Sequence, residues 1–188
     1  MRPHGTVWSA ARSWVHLAAP LGLALASGCA LSAEGELPEV EVTQRDIAIP
    51  GAPLDADGGE VTLPVTFRQQ PPRLGLEGAT FSRVEVLGMQ IAASGGVTDL
   101  SFLRRLRVTA TSPKADAAKR APIEIINYQR AVEGDVGATL ALPTAPPADV
   151  TELWQDSSML FTLEITGQLP TVAWSADVGL SFGATVTY

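Results

Sequence analysis

The chain has 188 residues, of which 20 are acidic and 13 basic, giving a formal charge of −7. That surplus of carboxylates argues against nucleic acid and against anionic lipid headgroups as electrostatic partners. A single cysteine excludes an internal disulfide, so burial of apolar side chains must hold together whatever folds.

Taken in chain order, the first element is a leader. Arg2 and Arg12 make a basic start, Val15 to Ala26 an apolar run, and Ser27 and Gly28 a small-residue end. This layout predicts an export signal over residues 1–28. The run is shorter than the roughly 20 apolar residues of a spanning helix, and Pro20 and Gly22 interrupt it.

The end of the leader, Leu25-Ala26-Ser27-Gly28-Cys29, resembles the lipobox of bacterial lipoproteins. It departs from the commonest form of that box, which has leucine three residues before the cysteine, where this chain has Ala26. The resemblance covers the leader alone. It implies cleavage before Cys29 and lipidation of the Cys29 thiol. It also implies a membrane anchor without a spanning segment, since each buried methylene contributes about 0.8 kcal/mol. In that family an aspartate after the cysteine favours retention in the inner membrane. Ala30 stands there, so the resemblance implies the outer membrane, facing the periplasm.

Cleavage at Cys29 would leave 11 basic residues against all 20 acidic ones, a formal charge of −9. It would also discard His4 and His16, the only two histidines. Without histidine there is no Ser-His-Asp triad, Cys-His dyad or histidine-bearing zinc site. No Walker loop, G-x-S-x-G or G-x-G-x-x-G pattern occurs either. The expectation is a domain that binds rather than catalyses, with no cofactor.

Residues 29–37 read as a short lipidated tether, and 38–188 as one domain. Within it the apolar residues alternate. Val61, Leu63, Val65 and Phe67 face one way, as do Leu106, Val108 and Ala110. Met159, Phe161, Leu163 and Ile165 repeat the pattern, and so does Val178 to Tyr188. Such a period of two marks half-buried strands. Further strands are predicted at Val40–Ile49, Phe81–Ile91, Ile123–Gln129 and Thr139–Leu142, with a bulge near Leu87-Gly88 where the phase slips. Single helical turns are expected at 99–103 and within 148–155, the latter with Asp149 or Thr151 as cap. About eight strands separated by Pro-, Gly- and Asp-rich segments predict an all-β antiparallel sandwich, Ig-like or jelly-roll-like.

Four groups of residues invite a functional reading. Asp55, Asp57 and Glu60 resemble the opening of a calcium loop, but the twelfth position is Thr66 rather than glutamate, so a solvated turn is the plainer reading. Arg104, Arg105 and Arg107, with Lys114, Lys119 and Arg120, suit an acidic partner or simply the wet face of a strand. Trp154, Trp174, Phe161 and Phe182 fit the core, or a glycan-binding platform. The alternating last strand with its terminal aromatic is similar to the closing strand of an outer-membrane barrel, which the arginines of 104–107 and Glu85 oppose.

Together these features lead to a lipid-anchored envelope protein acting as a non-catalytic interaction module. The expected partners are a membrane through Cys29 and another envelope protein. A carrier for a small or apolar ligand is the alternative, and a glycan-binding or carboxylate-based hydrolase a distant one.

Overall fold

The computed structural model describes residues 34–53, 59–71, 80–114, 121–131, 136–156 and 158–188. The alternating segments form strands. In chain order these are β1 (Glu34–Glu36), β2 (Val40–Ile49), β3 (Val61–Gln69), β4 (Thr80–Gly95) and β5 (Leu103–Thr111). They are followed by β6 (Ile123–Gln129), β7 (Thr139–Asp149), a single helical turn α1 (Thr151–Trp154), β8 (Met159–Gly167) and β9 (Trp174–Thr187).

The strands pair antiparallel as β2 with β9, β3 with β8, β4 with β7 and β5 with β6. These nested pairs form one long ribbon, which rolls up into two sheets ordered β2-β9-β4-β7 and β3-β8-β5-β6. Of the connections from β2 onward, only that between β5 and β6 stays within one sheet. That is the jelly-roll winding, which decides between the two sandwich forms expected from sequence. β1 and β2 share one edge position, with β1 pairing the last turns of β9 and β2 the rest. The described strands thus fill eight positions with nine segments.

The inward residues of both sheets make one core. Phe161, Leu163 and Ile165 of β8 meet Val65 and Phe67 of β3 and Leu106 and Val108 of β5 in register. Opposite them, Val178, Leu180 and Phe182 of β9 lie beside Val84, Val86, Met89 and Ile91 of β4. Aromatic contacts knit the layer: Phe67 stacks on Phe161 at 5.4 Å, and Trp154 lies 5.4 Å from Phe182. Two glycines permit close approaches at the loop ends. A Cβ on Gly167 would lie 2.0 Å from the Phe102 carbonyl oxygen. Gly96 has φ +80°, which side-chain-bearing residues rarely adopt.

The bulge expected near Leu87-Gly88 is present, as a register shift between Val86 and Gly88 against both neighbours. Two boundaries in particular differ from expectation. Glu34–Glu36, read as tether, is strand β1; three residues carry no period to read. β7 runs on to Asp149 through Pro143, Pro146 and Pro147, residues read as a loop. They are tolerated because β7 is an edge strand, and four residues (144–147) stand opposite the single Leu87. The Thr144 hydroxyl donates to the Val86 carbonyl at 2.6 Å, anchoring that excursion.

The segment 99–103 makes a turn, closed by the Leu103 amide on the Leu100 carbonyl. The N-cap position of α1 is Val150, with no side-chain capping bond, in place of the Asp149 or Thr151 expected. The Asp149 carboxylate instead accepts from the Thr151 amide at 2.9 Å and hydroxyl at 2.6 Å. The Thr151 hydroxyl and amide together hold the Asp149 carboxyl below the ordinary aspartate range.

Candidate functional site

Several residues singled out from sequence lie outside the described residues: Cys29, Asp55, Asp57, Lys119 and Arg120. Glu60 is exposed just before β3, and the described residues contain no group of three metal-ligating side chains. Trp154 (7% exposed), Trp174 (4%), Phe161 (0%) and Phe182 (2%) all belong to the core. They are therefore core aromatics and present no platform to a glycan.

Arg104 of β5 sits at the register shift between Leu103 and Arg105, while Arg105 and Arg107 lie on the outer face of the β3-β8-β5-β6 sheet. Arg107 is held there between two carboxylates, Glu124 at 2.8 Å and Glu164 at 3.4 Å. The Glu124 hydrogen bond raises the Arg107 pKa, and Arg107 in turn lowers that of Glu124. Around them stand Thr62 and Thr166, with hydroxyls 2.8 Å apart, and Thr66 and Thr162, 3.4 Å apart. Much of the polar surface of this face is thus paired within the face. At the end of the sandwich, Lys114 pairs with the buried Asp156 carboxylate.

The sheet edges are each interrupted. β2 shifts register between Gln44 and Ile47, where Asp46 has φ 52° and donates its amide to Asp177 at 2.9 Å. β3 carries Pro64, β6 bulges at Ile125, and β7 carries three prolines. Such devices work against addition of another strand. Between β6 and β7 a groove of about 480 Å³ opens, floored by Ile125, Ile126 and Leu142 and flanked by Tyr128, Pro146 and Pro147.

The outer face of the β2-β9-β4-β7 sheet is built differently. The outward positions of β9 are Ser175, Asp177, Gly179, Ser181, Gly183 and Thr185, so almost no side chain rises from the central strand. Neighbouring strands supply walls. On one side are Glu36, Glu39, Glu41 and Thr43; on the other are Glu85, Leu87 and Gln90. Leu87 faces outward because the bulge displaces it, and it leans over Gly183, where an added Cβ would lie 3.3 Å from its Cδ1. The Glu41 carboxylate leans in likewise, within 3.0 Å of where a Cβ on Gly179 would be.

The result is a trough along β9, made of three adjoining depressions of about 220, 400 and 430 Å³ that share Glu39, Leu87, Glu41, Gln90 and Gly179. Its lining holds six carboxylates (Glu36, Glu39, Glu41, Asp46, Glu85, Asp177) and two arginines. Arg83 is already paired with Glu85 at 2.8 Å. Reading the sequence alone missed this trough. Its signal was present as small residues at alternate positions of the last strand, but the walls come from segments more than 80 residues away.

No family model and no curated protein sequence matches the chain. Among solved structures, one of infectious bursal disease virus, Gx strain, is similar over 79% of this chain, with 16% identity and a TM-score of 0.30. A structure of tomato aspermy virus covers 66% of this chain and 77% of its own, with 12% identity and a TM-score of 0.23. The Gt strain of infectious bursal disease virus gives 85%, 12% and 0.23. The chain spans 35% and 41% of the two bursal disease virus chains.

Proposed function

We propose that this protein is a lipid-anchored module of a bacterial cell envelope, outer-membrane-bound and periplasmic, that acts by binding another envelope protein rather than by catalysis. The observation that carries the binding half is the trough on the β2-β9-β4-β7 sheet, an outward face with concave relief and unbalanced charge. The anchoring half rests on the lipobox-like ending at Cys29.

The two halves fit one geometry. Strand β1 begins only five residues after Cys29, a reach of at most about 17 Å. It starts beside Thr187 and Thr80, at the end of the sandwich where β4 starts and β9 finishes. A lipid on Cys29 would hold that end against the bilayer, and the trough, parallel to β9, would run away from the surface. The acidic chain gains nothing from anionic headgroups, so the lipid must supply the attachment.

Intact-mass analysis and fractionation of the exported protein, beside Cys29→Ser, test the anchor. The wild type should carry acyl mass and sediment with outer membranes, and the variant should do neither. An unmodified, freely soluble exported wild type would refute the anchor. Photocrosslinking from Ser181 in intact cells tests the binding role: no adduct there under any growth condition would refute it.

A further inference from the structure

We infer that the partner lays an extended, basic polypeptide segment into the trough along β9. This rests on the reading of the protein as a binding module and adds the chemistry of what it binds.

Shape is the first argument. From Asp177 to Thr185 the floor of β9 extends roughly 27 Å at about 3.3 Å per residue, which suits an extended segment of about eight residues. Ser181 keeps the middle of the floor low, while the Glu41 and Leu87 side chains lean over Gly179 and Gly183 and are there for a partner to contact. Among the described residues no element crosses this face, and its outward residues Thr43, Gln90 and Ala141 are exposed. A helix, about 10 Å across with its side chains, is too wide to settle between walls only two strand spacings apart.

Charge complementarity is the second. The carboxylates gather on the β2 wall, where Glu39 and Glu41 are two residues apart, hence roughly 7 Å in extended chain. Alternate residues of an extended partner have that same spacing, so lysines or arginines at every second position would meet them in turn. The Glu41 carboxylate already leans over Gly179, inside the trough. On the other sheet the carboxylates of Glu124 and Glu164 are both paired with Arg107. Leu87, with Leu37 at the same end, adds an apolar patch, which calls for one aliphatic side chain in the partner near Gly183.

The probe is a fluorescein-labelled octapeptide of alternating lysine and serine, titrated against the full lipidated protein in detergent at low salt. A glutamate-serine peptide of the same length serves as its mirror. Glu39→Gln with Glu41→Gln should weaken lysine-peptide binding about tenfold. Glu124→Gln with Glu164→Gln, an equal change of net charge on the other sheet, should leave it within about twofold. Equal losses in both double variants, or equal affinity for the two peptides, would overturn the inference. So would a Ser181 crosslink joining two copies of this chain. If Ser181 captures a partner in cells whose yield is unchanged by the Glu39 and Glu41 substitutions, the binding role stands and the basic segment falls. If no partner is captured, the binding role itself falls.

Discussion

The β3-β8-β5-β6 sheet presents threonines, with Arg107 clasped by two glutamates, to the outside. The β2-β9-β4-β7 sheet presents Ser181 and Gly183, with Gly179 buried under Glu41, between walls rich in carboxylate. Inside, both contribute fully buried branched and aromatic side chains to one core. The first outer face follows what a wet sheet prefers, since threonine is a good strand former and its cross-strand hydroxyls pair. The second departs from it. Glycine in a strand interior costs up to about 1 kcal/mol, and facing carboxylates repel one another. The second outer face thus forgoes stability in two ways that the first does not, which is why the proposed binding role is assigned to it.

The comparison can be broken most forcefully from the inside. Phe161→Ala and Phe182→Ala should each destabilise by about 3–5 kcal/mol in urea unfolding, because both rings are buried in the same layer. A loss below about 1 kcal/mol for either one would show that the sheets do not share a core.

The outer faces should answer small substitutions in opposite senses. Thr162→Gly should cost about 1 kcal/mol, whereas Gly179→Ala should be neutral or stabilising by up to about 0.5 kcal/mol. Room for the new methyl comes from the Glu41 carboxylate, the far end of a flexible side chain. A marked loss for Gly179→Ala would mean that the glycine is required by packing rather than left for a ligand.

Acid and salt separate the two sheets further. Asp149 is held below its ordinary pKa by the Thr151 hydroxyl, and Glu124 by Arg107. Both contributions are complete above the unfolded carboxylate pKa and are lost as pH falls through the lower folded value. Added salt should weaken the Glu124 contribution, which depends on an exposed ion pair, more than that of Asp149, where the Thr151 hydrogen bonds outweigh the attraction of Arg83. Asp149→Ala should cost about 1 kcal/mol through the hydrogen bonds lost to the Thr151 amide and hydroxyl. The smallest effect is expected at Glu164→Gln, within about 0.5 kcal/mol, since that pair is exposed and 3.4 Å long.

Much of the fold can be read from residue order. Alternation locates the strands, and the slip from Val86 to Met89 marks the bulge before any pairing is known. What alternation cannot give is the partner of each strand, and two misreadings follow from that. Proline in 143–147 looks like a loop unless β7 is known to be an edge. Glu34–Glu36 looks like a tether unless β9 is known to extend past β2. The trough shares this dependence. Ser181 and Gly183 look like ordinary polar positions until register sets Glu41 on one side of them and Leu87 on the other. Excluding a tryptophan platform likewise required the burial of Trp154 and Trp174, which composition alone does not supply.

The most direct test of the asymmetry between the faces is paired photocrosslinking in intact cells, with the crosslinker placed at Ser181 on one sheet and at Thr162 on the other. Both positions face outward at the middle of a central strand. A protein adduct at Ser181 and none at Thr162 is the result expected here. Adducts at Thr162 alone, or in equal yield at both positions, would contradict the account.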